Sequence, residues 1–176
     1  MEAGTFAPLA LSWLDVLARV GAAIVLSLAL GLERFLREKP IDFRPYVIIS
    51  LAACTLVIGV AEYGVKVDDS ALAVDPSRVV QGVLTGVGFV AAGALFQDEK
   101  TVFGAGTATS IWAAGGIGLI CGFGQLWLAA ILSVCLLLVL GLSRPFTGEY
   151  TVRIEEHKDE GKRDKEQGVA ASRKDN

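Results

Sequence analysis

Five apolar runs dominate the first 142 residues, at 13–32, 46–63, 79–96, 102–123 and 126–142. Each approaches the roughly 20 residues that an α-helix needs to cross a hydrocarbon core of about 30 Å. The third run makes the case sharpest, because Gly82, Gly86, Gly88 and Gly93 crowd into it. A glycine costs about 1 kcal/mol relative to alanine inside a helix, so something besides intrinsic propensity must hold this segment helical. A lipid bilayer does so. The sequence therefore predicts an all-α membrane protein, a bundle of about five transmembrane helices spanning 1–147, followed by a charged cytoplasmic tail at 148–176.

Charge placement sets the expected topology. The loop after the first run carries Arg34, Arg37, Lys39 and Arg44, and the region after the fifth carries Arg144, Arg153 and Lys158. The second loop holds Lys66 among Asp68, Asp69 and Asp75. By the positive-inside rule the basic loops face the cytoplasm, leaving the N-terminus and the acidic loop outside and the C-terminus inside. Because Asp15 and Arg19 interrupt the first run and no basic segment precedes it, a retained span reads better than a cleaved signal peptide. The tail beyond 155 mixes acidic and basic residues with few apolar ones, so it is expected to be disordered, with His157 solvated. Its alternating charges also argue against nucleic-acid binding.

Two polar layers frame the apolar centre. At the expected outer boundary stand Asp15 and Arg19, spaced i to i+4, together with Asp75 and Arg78. Asp75 followed by Pro76 reads as an N-cap with proline at the first helical position, and Arg78 is close enough to fold back toward it. This cluster reads equally as a functional site or as a structural ion-pair network. Glu33, Arg34 and Arg44 mark the inner boundary. Asp68, Asp69 and Asp75 offer oxygen ligands suited to a magnesium ion, but their spacing matches no defined cage and a solvated loop is the simpler reading. No resident metal or other cofactor is expected.

Gly82 and Gly86 form a G-x-x-x-G pair, and Gly93 falls on the same stripe, while Gly88 and Ala92 line another side. The third run thus predicts a central helix with neighbours on more than one face. Gly104, Ala108, Gly115, Gly118 and Gly122 repeat the pattern in the fourth run, where Thr107, Thr109 and Ser110 can return hydrogen bonds to their own helix and Trp112 can pack on a glycine face. Trp13 and Trp127 suit the interfacial belt. Cys54, Cys121 and Cys135 all fall within apolar runs and read as packing residues. Because the chain's one histidine lies in the tail and no cysteine has a neighbouring base, no nucleophile–base set is available and an enzyme is not expected.

The ordered string of Gly31-x-Glu33-Arg34, Arg44, Asp75-Pro-Ser-Arg78, Gly86-Val-Gly88-Phe89-Val-Ala-Ala-Gly93, Val102-x-Gly104, Thr107 and Ile111-Trp112 resembles the MgtC/SapB family of bacterial inner-membrane proteins. The resemblance covers about residues 15–142. It implies a five-helix membrane domain, a link to growth in scarce magnesium, and survival of pathogens inside macrophages. It further implies regulation through partner membrane proteins, notably the F-type ATP synthase. Asp75 and Arg78 match the family's Asp-Pro-x-Arg, and Glu33 and Arg34 its Gly-x-Glu-Arg. Where relatives commonly carry Gly-Phe-Leu-Gly-Ala-Gly, this chain has Ala91 at one close-contact position, and Phe43-Arg44-Pro45-Tyr46 replaces Leu-Arg-Thr-His. Of the family's cytoplasmic domain, residues 149–154 resemble the first strand. The leading expectation is a non-enzymatic regulator working through helix contacts with a partner or a second copy; the rival is a magnesium or small-cation transporter. The lack of an evident inverted repeat weighs against transport.

Overall fold

The computed structural model describes residues 7–36, 42–66, 75–98 and 101–142. The strand-like segment at 149–154, the tail with His157, and Arg37, Lys39, Asp68 and Asp69 lie outside these residues. The helices are α1 (Trp13–Phe35), α2 (Arg44–Lys66), α3 (Pro76–Ala92), α4 (Ala105–Gly122) and α5 (Leu126–Leu142). The chain divides into two units, Met1–Leu137 and Leu138–Asn176. Of the second, the described residues are 138–142, the end of α5.

This is an all-α membrane protein. α1, α2 and α4 are each long and apolar enough to cross a membrane. α3 and α5 have 17 residues apiece, about 26 Å of helix, at the lower end of the spanning range. Large apolar side chains on the outside, such as Leu14, Leu17, Val25 and Phe89, fit a lipid-facing surface.

The third and fourth apolar runs end earlier and begin later than their hydropathy predicts. α3 stops at Ala92, and a two-stranded antiparallel hairpin pairs Phe96–Asp98 with Thr101–Phe103, Phe96 opposite Phe103. Gly104 then closes the hairpin with φ of 86°, and its Cα lies so near the Ala94 carbonyl that any Cβ would collide with it. Only glycine accepts both constraints at once. Gly104 is therefore a turn residue rather than a helix-packing residue, and apolar composition alone does not reveal that difference.

α4, not α3, occupies the centre. Twelve of its 18 residues are buried, against Val87 and Ala91 in α3. It runs parallel to α2, with Gly118 against Ser50 and Gly122 against Cys54 and Val57. It runs antiparallel to α1 and α3, meeting Arg34 at Gly106 and Val87 at Gly115. Without a hydrophobic force between helices in lipid, such pairs cohere by close van der Waals approach and interhelical hydrogen bonds, and small residues permit that approach. The glycines that matter are those of α4. Gly82 and Gly86 of α3, by contrast, have no atom of the described residues within 4 Å of where a Cβ would stand. Glycine content raised the expectation of a central α3, but what decides centrality is whether a neighbouring backbone fills the space.

Buried hydroxyls supply the polar glue. Ser27 and Ser50 both donate to the Ala23 carbonyl, at 2.6 and 3.2 Å, the second bond joining α2 to α1. Ser133 of α5 reaches the Leu26 carbonyl at 3.4 Å. The cysteines follow the same logic of small core residues: Cys54 and Cys121 are fully buried, whereas Cys135 is exposed on α5.

A methyl group at Gly118 would overlap the Ser50 carbonyl, so Gly118→Ala must push α2 and α4 apart. Overpacking of this kind costs roughly 3 kcal/mol or more. Denaturation in detergent should show that loss, whereas Gly59→Ala, whose Cβ meets nothing within 4 Å among the described residues, should lose no stability and gain up to about 1 kcal/mol.

Candidate functional site

α1 enters the bundle through a tightly specified N-terminus. Ser12 is the N-cap, accepting from the Asp15 N–H at 3.1 Å, and the Asp15 carboxylate returns to the Ser12 N–H at 3.3 Å and the Ser12 hydroxyl at 2.7 Å. This capping box satisfies two free donors of the first turn. Just before it, the successive N–H groups of Leu9, Ala10 and Leu11 converge on the Glu62 carboxylate near the end of α2, at 2.5 to 3.1 Å. Consecutive amides arranged in this way form a concavity suited to an anion. Here that anion is a side chain.

Arg19 lies further along α1, and its Nη1 donates to the Gly122 carbonyl at 2.7 Å. The reason lies in how α4 ends. Gly124, with φ of 81°, lets the Gly124 and Gln125 amides turn back to the Cys121 and Ile120 carbonyls, at 2.9 and 3.2 Å. That Schellman arrangement satisfies the penultimate carbonyls and leaves the one at Gly122 for Arg19. A guanidinium there also meets the negative end of the α4 dipole.

Asp75 caps α3, accepting from the Ser77 N–H at 2.9 Å. Hydrogen bonds from the Ser77 side chain and backbone hold its carboxyl below the usual carboxylate range, so it is an ionised acceptor at neutral pH. The four expected outer residues therefore do not form one ion-pair network. Asp15 faces Ser12, Arg19 faces Gly122, Asp75 faces Ser77, and Arg78 is exposed without an ion pair among the described residues. Backbone amides and carbonyls at helix ends are nearer than the opposite charges, and they take the side chains first.

The opposite end of the bundle holds Glu33, Arg34 and Arg44. Arg34 is 8% exposed, and its guanidinium packs against the first turn of α4, where a Cβ on Gly106 would come within 2.6 Å of Nη2. Glu33 and Arg34 both act electrostatically on the fully buried Tyr46 of α2. Arg44 turns outward instead and pairs with Asp42 at 3.5 Å in an exposed bridge. Thus α1 applies one arginine to each end of α4, a relation that sequence spacing does not express.

The remaining small-residue and hydroxyl positions separate clearly. Thr107 is buried, while Thr109 and Ser110 donate to carbonyls of their own first turn, Ala105 and Gly106. Trp112 is about half exposed and touches the Gly88 side of α3, with Cδ1 3.9 Å from the Cβ position. Gly93 is the C-cap of α3. Glu62 was not singled out by the sequence reading, although a carboxylate near the end of an apolar run is itself a signal of a partnered group.

At the Arg19 end, a cavity of about 370 Å³ opens between the start of α1, the end of α2, the start of α3 and the end of α4. Its walls are apolar, with Arg19 as the charged lining group. Among the described residues no group of three His, Cys, Asp or Glu side chains is placed to hold a metal ion.

Five apolar helices, three of them packed around a buried α4 whose two ends are each met by an arginine, define a multi-pass membrane protein. Comparison makes the assignment specific: the MgtC family profile matches residues 20–148, and the chain belongs to that family. Over 137 residues it is 34% identical to YhiD of Escherichia coli, by name a proposed magnesium transporter, covering 76% of this chain and 62% of that protein. SapB of Bacillus subtilis is 33% identical over 121 residues, 65% of this chain and 51% of the relative. MgtC of Brucella abortus is 30% identical over 128 residues, 73% and 51%. The chain thus spans between half and two thirds of the length of these relatives. No solved structure matches it.

Glu62→Gln keeps one acceptor oxygen but loses the charge that gathers the Leu9–Leu11 amides. Because the site is partly solvated, the expected cost is about 1 kcal/mol. Hydrogen exchange at the amides of 9–11 should accelerate, with little change in the α2–α4 core.

Proposed function

We propose that this protein is a non-enzymatic inner-membrane regulator of the MgtC type, acting on other membrane proteins through lateral helix contacts. The observation that carries the reading is the open G-x-x-x-G stripe of α3. Gly82 and Gly86 share one helix face, and a Cβ at either meets nothing within 4 Å among the described residues, although such stripes ordinarily bring two helices together in lipid. Isolated open glycines occur at Gly21 and Gly59, but they lack the i to i+4 partner that makes a contact surface.

In this reading α4 and its arginines hold the scaffold, and α3 offers the working face. The partner is another membrane protein, with the F-type ATP synthase the leading choice and a second copy of this chain the alternative. The basic bias of the loops supports a cytoplasmic C-terminus and an outer N-terminus. Magnesium limitation, intramacrophage survival and membrane energetics are the settings in which the protein acts. Magnesium transport, which the name of the Escherichia coli relative suggests, fits less well, since a guanidinium lining the described cavity repels a divalent cation.

Gly82→Leu and Gly86→Leu distinguish these accounts, because a Cβ at either position meets no atom within 4 Å among the described residues. Both variants should insert and unfold normally while losing growth in low magnesium and association with the ATP synthase subunits, each by tenfold or more on the order of one lost interface contact. Unimpaired growth, or magnesium flux in liposomes containing the purified protein, contradicts the proposal.

A further inference from the structure

The charged groups around Arg19 are unevenly satisfied. The Glu62 carboxylate is taken up by the amides of Leu9, Ala10 and Leu11, and the Asp15 carboxylate by Ser12. Arg19 spends Nη1 on the Gly122 carbonyl. Its Nε and Nη2 have no acceptor among the described residues. A guanidinium offers five N–H donors, and a half-buried one that uses so few of them favours an anion in its remaining sector.

Arg19 lines the cavity of about 370 Å³, and Gly124 packs against its guanidinium. Leu11, Val57, Val60, Val79 and Phe123 make its walls apolar, while Arg19 supplies its charge. Its position adds a second constraint. Gly64, Pro76 and Gly122 place it at the level where α2 ends, α3 begins and α4 ends, the boundary between hydrocarbon and head groups. Arg19 lies six residues inside the start of α1, about 9 Å, within reach of that boundary for a long side chain. An inorganic ion would leave the apolar wall unfilled, and a plain hydrocarbon would leave the guanidinium unpaired.

We propose that this cavity binds one acyl chain ending in an anionic oxygen-bearing head group, either the phosphate of a phospholipid or the carboxylate of a free fatty acid. Arg19 is the head-group ligand, and the α2–α3 wall holds the chain. Val79 stands three residues before Gly82 and seven before Gly86, so the cavity adjoins the N-terminal end of the α3 glycine stripe.

The full-length protein, stripped of lipid in a non-ionic detergent, is titrated with phosphatidylglycerol, phosphatidylcholine and oleate, and bound molecules are counted by native mass spectrometry. One equivalent of phosphatidylglycerol or oleate should bind at least about tenfold more tightly than phosphatidylcholine, the margin expected of a charge-assisted hydrogen bond. Preference for phosphatidylglycerol identifies a phospholipid as the source, and preference for oleate a fatty acid. Arg19→Gln should erase the anionic preference. Ala61→Trp, a change at an exposed cavity residue that leaves the Arg19–Gly122 bond in place, should remove binding of both anionic probes without shifting the thermal unfolding midpoint. Equal affinity for all three probes, or tight anionic binding retained in Ala61→Trp, overturns the proposal.

Discussion

The backbone of α4 touches the backbone of α2. At Gly118 and Gly122 the two helices approach until no Cβ fits between them, with the Ser50 and Cys54 carbonyls as the opposing surface. Lipid tails are as apolar as leucine, so burial of hydrocarbon does not draw these helices together, whereas contact at this distance does. Everything else is arranged around that seam. α1 and α3 flank α4 in the antiparallel sense, and Ala23, Ser27 and Ser50 share the adjoining polar knot. Val80, Val83 and Leu84 complete the packing over Ala53, Val57 and Leu119.

The seam fixes where α4 must end, and the ends of α4 fix the arginines. A helix that stops inside a membrane protein leaves carbonyls that water cannot reach easily. α4 resolves this at one end with a glycine turn and Arg19. At its other end the hairpin and the left-handed Gly104 deliver the chain beneath Arg34. Both arginines come from α1, so one helix reads the two termini of another. Arg19, Glu62, Ser27 and Ser50 are thereby turned toward backbone amides and carbonyls.

Much of this was legible in the sequence. The five apolar runs gave five helices, the limits of α5 coincide with the last run, and Asp75-Pro76 did begin α3. What escaped was tertiary. Gly82 and Gly118 look alike in a string of letters, and only the neighbouring chain makes one open and the other indispensable. Asp15 and Arg19 have the spacing of an ion pair, yet each has a closer backbone partner elsewhere. The hairpin between α3 and α4 takes Phe96, Val102 and Phe103 from the ends of runs that hydropathy assigns to helix. Glu62 was silent for the same reason, since its partners are amides 51 to 53 residues away.

The division between a closed α4 seam and an open α3 face is the centre of the account, and its direct test is made in living membranes. A photo-activated cross-linking side chain placed at position 86 reports what lies against that face, with position 59 as the open but unpaired control. Adducts of one discrete mass at 86, formed with an identifiable membrane protein or a second copy of this chain, and lipid adducts alone at 59, are the predicted result. Lipid adducts alone at both positions would contradict it.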